Sequence, residues 1–363
     1  MPDQVTNYKC PSCGGPLHFD PDSGKVKCDF CGSVFEPSEI SEEFSAANAA
    51  AAQAGTALSE DNDVLQWSEE EAKHMRAYSC PSCGAQLICD EHTAATSCPY
   101  CGNPTVVPAQ FDGALRPDYI IPFKLKKEEA VRKLKEFYKG KPLLPNAFSD
   151  NNHIEEIKGV YVPFWLYDGQ AAAELAYHAT RVHSHSTRDE MITVTEHYQV
   201  ERKGTVRFKM VPADASSKMP DELMDAIEPF KYEDLVPFDM SYLPGFLADK
   251  YDVSSEEDAN RADTRMKNSA IEEISATVGG YTSIVPEVER VHIIPDRVHY
   301  AFLPVWMLST RWKDENHIFA MNGQTGKFIG DLPVDMGKFW LYFLIITVVL
   351  AAILFVLLFL VMA

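Results

Sequence analysis

The clearest chemistry in this sequence lies in eight cysteines arranged as two sets of four. The sets are Cys10, Cys13, Cys28 and Cys31, and Cys80, Cys83, Cys98 and Cys101. In each set two residues separate the cysteines of a pair and fourteen separate the pairs, so the second set repeats the first seventy positions later. Two Cys-x2-Cys turns supply the four thiolates of a tetrahedral structural zinc ion. The sequence therefore predicts two small β zinc ribbons, with two structural Zn²⁺ ions per chain.

The residues around the cysteines repeat as well. Each first pair reads Cys-Pro-Ser-Cys-Gly, and each second pair is followed by glycine, at Gly32 and Gly102. Glycine there permits the positive φ that turns backbone amides toward the sulfurs. A closed four-thiolate shell has no open position for water, which favours a structural over a catalytic ion. Iron of the rubredoxin kind uses the same ligands and stays open as an alternative, whereas Cys89 fits a small packed hydrophobe.

The second informative feature is an uncharged C-terminal segment, residues 339–362. Its twenty-four residues would form a helix of about 36 Å, long enough to cross a bilayer core of about 30 Å. A buried core helix is the alternative, but the pattern predicts a single-pass C-terminal membrane anchor. The N-terminus carries no signal-peptide pattern, and thiolate metal sites persist best in a reducing compartment. We therefore expect the N-terminal bulk to be cytoplasmic.

Charge argues against nucleic acid as a partner. The formal net charge is −20, and the stretch from Tyr78 to Pro108 contains no lysine or arginine. Non-specific nucleic-acid binding depends on lysine and arginine that neutralise phosphates. The sequence thus disfavours a membrane-held nucleic-acid-binding factor linked to replication or transcription, which remains the alternative function.

Composition and patterning divide the chain into seven predicted segments. In order they are zinc ribbon 1 (1–37), an acidic, alanine-rich helical linker (38–77), zinc ribbon 2 (78–110), α+β repeat 1 (111–211), a crossover (212–252), α+β repeat 2 (253–335) and the transmembrane helix (339–362). The duplication rests on Tyr161-Val-Pro-Phe-Trp165-Leu and Phe302-Leu-Pro-Val-Trp306-Met, which match in type at every position. The predicted fold class is multidomain, with two helix-plus-antiparallel-sheet repeats between the ribbons and the anchor.

Periodicity and turn signals give the elements of these segments. Helices are predicted over 127–138 and 254–276, and a capping box from Ser68 to Glu71 predicts a helix through Arg76. In the first repeat the predicted strands are 171–183, 191–201 and 205–211, with a hairpin turn at Lys203-Gly204. In the second repeat they are 302–312, 317–322 and 328–332. Asp221 is a predicted helix start within the crossover.

Few other residues suggest chemistry. The segment Gly323-Gln-Thr-Gly326-Lys327 lacks the spacing of a phosphate loop and fits a strand turn better. A basic run over 124–135 could meet lipid phosphates or an acidic partner, although interspersed glutamates fit a solvated helix face. His183 and His185 share one strand face and could bind a metal, or could belong to an exposed strand end. A hydrolase-like site around them is the low-ranked enzyme alternative, and we expect no catalytic residues.

Several motifs together resemble one family. They are the twin Cys-Pro-x-Cys-Gly ribbons, Pro212-Ala-Asp-Ala-Ser through Glu228-Pro-Phe, Asp239-Met-Ser-Tyr-Leu, and Phe319-Ala-Met-Asn-Gly-Gln-Thr-Gly-Lys followed by Gly330-Asp-Leu-Pro-Val. They resemble bacterial membrane-anchored twin zinc-ribbon proteins, whose ribbons are of transcription-factor-IIB type and which often carry a primosomal or helicase-like label. No nucleotide-binding loop supports that label here. The resemblance implies partners among SPFH-domain and phage-shock-A-like membrane proteins.

The sequence therefore predicts a non-enzymatic adaptor. We expect a membrane-tethered scaffold that binds protein partners in a membrane-associated, and by the resemblance membrane-stress, complex. The ribbons would present rigid surfaces, because structural zinc lets so small a module fold without a large core.

Overall fold

The structure, a computed structural model, describes residues 17–21, 23–28, 31–36, 67–91, 93, 95, 97–109, 115–149, 154, 156–186, 190–313, 315–330 and 332–362. Its strands are β1 (Leu17–Asp20), β2 (Lys25–Cys28), β3 (Val34–Phe35), β4 (Met75–Ser79), β5 (Gln86–Asp90), β6 (Val107–Ala109), β7 (Tyr119–Ile120), β8 (Lys158–Ser186), β9 (Met191–Asp214), β10 (Val236–Pro237), β11 (Leu247–Asp249), β12 (Ser283–Trp312), β13 (Glu315–Asn322) and β14 (Phe328–Gly330). Its α-helices are α1 (Glu69–Lys73), α2 (Lys127–Tyr138), α3 (Asp221–Ile227), α4 (Ser255–Ser275) and α5 (Met336–Met362). The fold is thus mixed α/β.

The helix signals in the sequence locate the helices closely. Helix α2 covers the predicted range, α3 begins at Asp221, and α4 begins after the N-cap Ser254, where Ser254 and Glu257 form a capping box. The capping box of Ser68 and Glu71 also forms, but α1 ends at Lys73. The prediction of a helix through Arg76 was wrong, because Met75 to Ser79 joins the sheet as β4.

Three unusually long strands dominate the sheet. β8, β9 and β12 contain 29, 24 and 30 residues, so that at roughly 3.3 Å per residue β8 extends on the order of 90 Å. β9 runs unbroken through Lys203 and Gly204, which pair with Glu174 and Ala173. The predicted hairpin turn there was wrong. A Cβ at Gly204 would lie 3.6 Å from the Ile274 side chain, an ordinary van der Waals distance, so α4 packs over β9 at this point without requiring glycine.

The two copies of the duplicated motif pair with each other. β8 and β12 are antiparallel, and their register opposes Val162 to Leu303, with Tyr161 facing Pro304 and Pro163 facing Phe302. Each copy therefore lies at the same distance from a local two-fold axis between Val162 and Leu303. The strands of the two predicted repeats belong to one sheet rather than to two.

Flanking strands obey the same local symmetry. β7 runs parallel to β12 with Tyr119 opposite Ala301, and β11 runs parallel to β8 with Leu247 opposite Val160. Beyond these short strands β8 is paired by β9, and β12 is paired by β13. The internal repeat seen in the sequence is thus also a repeat of strand pairing.

Hydrogen bonds of the two tryptophans show how the halves interlock. Trp165 Nε1 donates to the carbonyl of Val253, which precedes the N-cap of α4, at 2.9 Å. Trp306 Nε1 donates to the carbonyl of Leu125, which precedes the N-cap of α2, also at 2.9 Å. Each motif therefore fixes the start of the helix that precedes the other motif. A buried indole N–H needs such an acceptor, so both contacts help to specify the helix positions.

The central strands are covered on both faces. Tyr161, Trp165 and Phe302 on one face pack in the same core cluster as residues of α2 and α4. Val162, Phe164 and Leu303 on the opposite face pack in a second cluster. That second cluster also contains Cys80, Leu87, Cys89, Cys98 and Tyr100 of the second ribbon, together with Met224 and Ile227 of α3. The second ribbon is therefore one of the layers of the core.

Helix α5 follows the sheet at the C-terminus. Its segment Met336–Phe355 has a mean hydropathy of 2.3 and none of it is buried. The Asp335 carboxylate accepts from the backbone N–H of Gly337 at 2.9 Å, and Lys338 Nζ donates to the Leu144 carbonyl at 2.5 Å. The helix is long and apolar enough to cross a membrane, and its first turn is held by the folded body.

Gly159 at the start of β8 gives a test of the central packing. A Cβ at Gly159 would lie 2.5 Å from the Phe246 ring, whereas a Cβ at Gly279 would meet nothing within 4 Å. Because Phe246 is stacked on Phe123 at 4.1 Å and cannot retreat freely, Gly159→Ala should lower the free energy of unfolding by about 1–3 kcal/mol. Gly279→Ala should change it by less than about 0.5 kcal/mol. Thermal unfolding of the two full-length variants in neutral detergent would check this, and equal melting temperatures would contradict the packing.

Candidate metal centre

Cys80, Cys83, Cys98 and Cys101 converge in the second ribbon. Their sulfur atoms all lie within 4.8 Å of one another, with 3.5 Å between Cys80 and Cys101 and 3.6 Å between Cys83 and Cys98. Four sulfurs at about 2.3 Å from a tetrahedral ion would be about 3.8 Å apart. The four side chains therefore fit a tetrahedral metal ion. It is the one cluster of three or more candidate ligands among the residues that the structure describes.

The backbone at each Cys-x2-Cys turn directs amide N–H groups toward the cysteine sulfurs. Gly84 N donates to Cys80 O at 2.9 Å and Gly102 N donates to Cys98 O at 3.0 Å, with φ values of +74° and +67° at the two glycines. The positive φ expected from the sequence is confirmed at both. Amides of Ser82 and Cys83 bond to the Cys80 sulfur, and amides of Tyr100 and Cys101 bond to that of Cys98. These N–H groups stabilise thiolate charge.

The pKa values of the cysteine thiols indicate what a cation at this site would do. Burial opposes ionisation of Cys80, but the amides of Cys83 and Ser82 outweigh it and hold the pKa of that thiol below its usual value. Burial raises the pKa of Cys83 to about 11 and that of Cys98 further. Four thiolates packed this closely need a cation to compensate their charge, so metal binding would displace protons.

Only part of the first ribbon's cysteine set can be placed. Cys28 is buried at the end of β2 and Cys31 is exposed, while Cys10 and Cys13 lie outside the described residues. Gly32 N donates to Cys28 O at 2.9 Å with φ +73°. This is the same turn as at Cys98 to Gly102, in line with the repeat in the sequence.

A buried polar cluster fastens the second ribbon to the sheet. The Asp249 carboxylate accepts from the Tyr100 hydroxyl at 2.6 Å and from the Ser216 hydroxyl at 2.7 Å, both through Oδ2. Asn316 on β13 donates to the Tyr100 carbonyl at 3.0 Å, and Lys158 Nζ donates to the Ser97 carbonyl at 2.7 Å. The turn that contains Cys98 and Cys101 is thus hydrogen-bonded to residues of β11, β13 and β8. No sequence motif signalled these residues, because their partners lie far away along the chain.

The remaining candidates from the sequence do not gather into a site. Cys89 is fully buried, donates to the Thr93 carbonyl at 3.0 Å and is not part of the metal cluster. His183 lies 3.6 Å from Glu196 at an exposed strand end, and neither His183 nor His185 joins a group of three ligands within the described ranges. The turn at Gly323 is hydrogen-bonded to the segment around the end of α3. Asn322 Nδ2 donates to the Ile227 carbonyl at 3.1 Å, and Gln324 Oε1 accepts from Lys231 N at 2.7 Å.

Comparison with known proteins places the chain in a family. It is 35% identical over 334 residues to the Bacillus subtilis protein YdjG, itself described as uncharacterized, and the alignment covers 92% of each chain. The chain belongs to the YdjG family. No protein-family model matches the chain. No solved structure matches it. The similarity to YdjG therefore extends over nearly the whole of both chains.

Metal content should distinguish the four clustered cysteines from Cys89. Cys98→Ser should lose one equivalent of bound metal, because oxygen at that position is a poorer ligand and the remaining shell is incomplete. Cys89→Ser should keep it, since Cys89 is not in the cluster and a serine hydroxyl can donate to Thr93 in its place. Elemental analysis of both full-length variants would check this. Equal metal content in the two variants would show that the assignment is wrong.

The buried carboxylate of Asp249 should make stability depend on pH. Burial raises its pKa to about 7, and its Oδ1 has no hydrogen-bond partner among the described residues. A carboxyl group whose pKa is raised by folding binds protons more tightly when folded, so the free energy of unfolding falls as pH rises from about 4 to about 7. Asp249→Asn keeps an acceptor for Tyr100 and Ser216. It should increase stability at pH 8 by up to about 4 kcal/mol and give no gain at pH 4.

Asp252 provides the control of opposite sign. Burial opposes ionisation of this carboxylate, but hydrogen bonds from the hydroxyl and N–H of Ser217, both at 2.6 Å, and from Lys218 hold its pKa below the usual value. Asp252→Asn should therefore destabilise the protein at neutral pH, and this difference should disappear as pH falls through the folded-state pKa. Thermal unfolding across pH 4–8 measures both variants. Parallel profiles for Asp249→Asn and wild type would contradict the role of Asp249.

Proposed function

We propose that this protein is a non-enzymatic, membrane-tethered scaffold that binds other membrane proteins in a membrane-associated complex. The observation that carries this proposal is the three-stranded arm, which we define as residues 168–186 of β8 with the strand residues of β9 and β12 that pair with them. Its size and open edges suit protein binding better than catalysis.

The arm offers main-chain hydrogen bonds along two edges. In the described strands β9 pairs only with β8, and β12 pairs on its other side only with β7 and β13, from Ala301 onward. The outer edges of Met191–Asp214 and of residues 283–300 thus have no strand partner among the described residues. An open edge can accept a strand from another protein, and pockets between alternate side chains give the selection.

One face of the arm is covered and its end carries exposed apolar side chains. Ala173, Leu175 and Tyr177 of β8 are buried in a cluster with Ile271 and Ile274 of α4. Past the end of α4, Ile192, Val194 and Ile284 are 40%, 46% and 39% exposed. Helix α4 makes the arm rigid, and the exposed apolar end supplies burial energy for a partner.

Helix α5 would tether the whole protein, and with it the arm, to the membrane. We propose that residues 339–362 span the bilayer once, with the N-terminal body in the cytoplasm. The aromatic side chains Trp340 and Tyr342 at the entry suit an interfacial position. Partners of the SPFH-domain and phage-shock-A-like classes, which the sequence resemblance implies, are membrane proteins that such an anchor would bring within reach.

We assign the ribbon metal as structural zinc, with one ion in each ribbon. Zn²⁺ bound by the four cysteines of the second ribbon would hold the turn that contains Cys98 and Cys101 against the core. The four-thiolate shell is closed, so the ion would have no open coordination position. Iron would give the purified protein visible thiolate absorbance, which zinc does not.

Co-purification from native membranes tests the scaffold. The full-length protein is purified in mild detergent, with and without nuclease, beside the double variant Ile192→Lys, Val194→Lys. Lysines at an open strand edge oppose edge-to-edge pairing. Recovery of membrane proteins should resist nuclease and should fall about tenfold in the arm variant.

Val107→Lys is the matched control, because Val107 is 44% exposed on the ribbon strand β6, away from the arm. It should leave recovery unchanged. Equal recovery with wild type and the arm variant would remove the arm from the proposal. Nuclease-sensitive recovery of replication or transcription proteins would favour the nucleic-acid-binding alternative.

A further inference from the structure

A cavity separates the first ribbon from the sheet. It has a volume of about 530 Å³, within the size range of small-molecule sites. Its walls come from parts of the chain far apart in sequence. They are the β1–β2 hairpin, the start of α2, the start of β8, the loop before β11, and Trp306 on β12.

The floor of the cavity is apolar and fixed. Phe246 lies parallel to Phe123 with 4.1 Å between ring centroids, and edge-on to Trp306 at 6.1 Å. Trp306 uses its indole N–H on the Leu125 carbonyl, so the ring presents only carbon to the cavity. Gly159 has no Cβ because the Phe246 ring fills that position at 2.5 Å. This rigid floor suits a flat or short apolar group.

The rim of the cavity is basic in a protein of net charge −20. Lys27, Lys126, Lys127 and Lys158 line it, with Asp20 and Glu128. Lys126 is neutralised by Asp20 at 2.9 Å, and Lys158 is held by the Ser97 carbonyl at 2.7 Å. Burial lowers the pKa of Lys158, nearby Cys98 and Glu156 raise it, and the charge of exposed Lys127 lowers it further. Two like charges that face one cavity are stabilised by an anion between them.

We propose that this cavity binds a small organic anion, with a carboxylate or phosphate head at Lys27, Lys127 and Lys158 and an apolar body on Phe246 and Trp306. This site is separate from the arm, and it does not depend on the scaffold proposal.

Binding there would join the first ribbon to the rest of the molecule. Phe19, Val26 and Cys28 of that ribbon lie in the same core cluster as residues of the sheet, and further contacts connect it to the body. They include Phe19 N to the Pro244 carbonyl at 3.5 Å, Phe19 against Tyr242 at 5.3 Å, and Asp20 with Lys126. An anion held by Lys27 on β2 and Lys127 on α2 would bridge the two parts. The ligand would therefore fix the position of the first ribbon, and through Lys158 it would also contact the second.

Fluorine NMR on the full-length protein in neutral nanodiscs tests the site. The probes are para-trifluoromethylbenzoate and para-trifluoromethylphenylphosphonate, with para-trifluoromethylbenzamide as the neutral analogue. We expect saturable binding of at least one anion and no saturable binding of the amide. Lys127→Glu and Lys27→Glu should each weaken binding about tenfold, as the loss of one charge-assisted hydrogen bond would.

Lys139→Glu is the matched control. It makes the same charge change at the other end of α2, away from the cavity, and should leave the dissociation constant unchanged. Lys127→Glu places an acid in the first turn of α2, which the helix favours, so folding is not at risk, and zinc content verifies the ribbons. The proposal is overturned if neither anion binds wild type saturably, if the amide binds equally, or if Lys127→Glu and Lys139→Glu bind alike.

Discussion

The antiparallel pairing of β8 with β12 is the constraint on which the rest of the structure depends. The register that opposes Val162 to Leu303 places one motif copy beside the other, so one set of aromatic side chains faces α2 and α4 and the other set of side chains faces the second ribbon. A shift by one residue would exchange these faces completely. The interlocking bonds of Trp165 and Trp306 oppose such a shift, because each would lose its carbonyl acceptor.

The second ribbon is built into the large sheet that contains β8 and β12. A zinc ribbon is often an independent module, but here β5 extends the sheet through β11, and Tyr100 bonds to buried Asp249. The cysteine cluster is consequently part of the core that covers the back of β8 and β12. Metal at this site would stabilise the platform that supports the arm. The first ribbon has its own three-stranded sheet, whereas strands of the second ribbon are part of the large sheet, so the two ribbons join the body differently despite their common spacing.

Local signals in the sequence were sufficient where a structure is itself local. Cys-x2-Cys spacing predicted the four cysteines that cluster in the second ribbon, capping residues predicted the start of α4 at Ser254, and the uncharged length predicted α5. Long-range pairing was beyond such signals. Lys203 and Gly204 have the composition of a turn, yet they lie within β9 because they pair with Glu174 and Ala173 of β8. Asp249, Ser216 and Lys158 gave no motif, since their roles arise only when strands distant in sequence become neighbours.

The exchange of tryptophan contacts between the two halves bears on how this duplicated fold evolved. Each half supplies an indole to the helix entry of the other, and the main-chain bonds repeat as well, with Ala215 N to Pro163 O at 2.9 Å and Gly323 N to Pro304 O at 2.8 Å. A half-length polypeptide with this motif could not satisfy its own tryptophan. It would fold only by associating with an identical chain. The present fold is what tandem fusion of two genes encoding such an obligate homodimer would leave, with later divergence in the lengths of β9 and β13 and of the two helices.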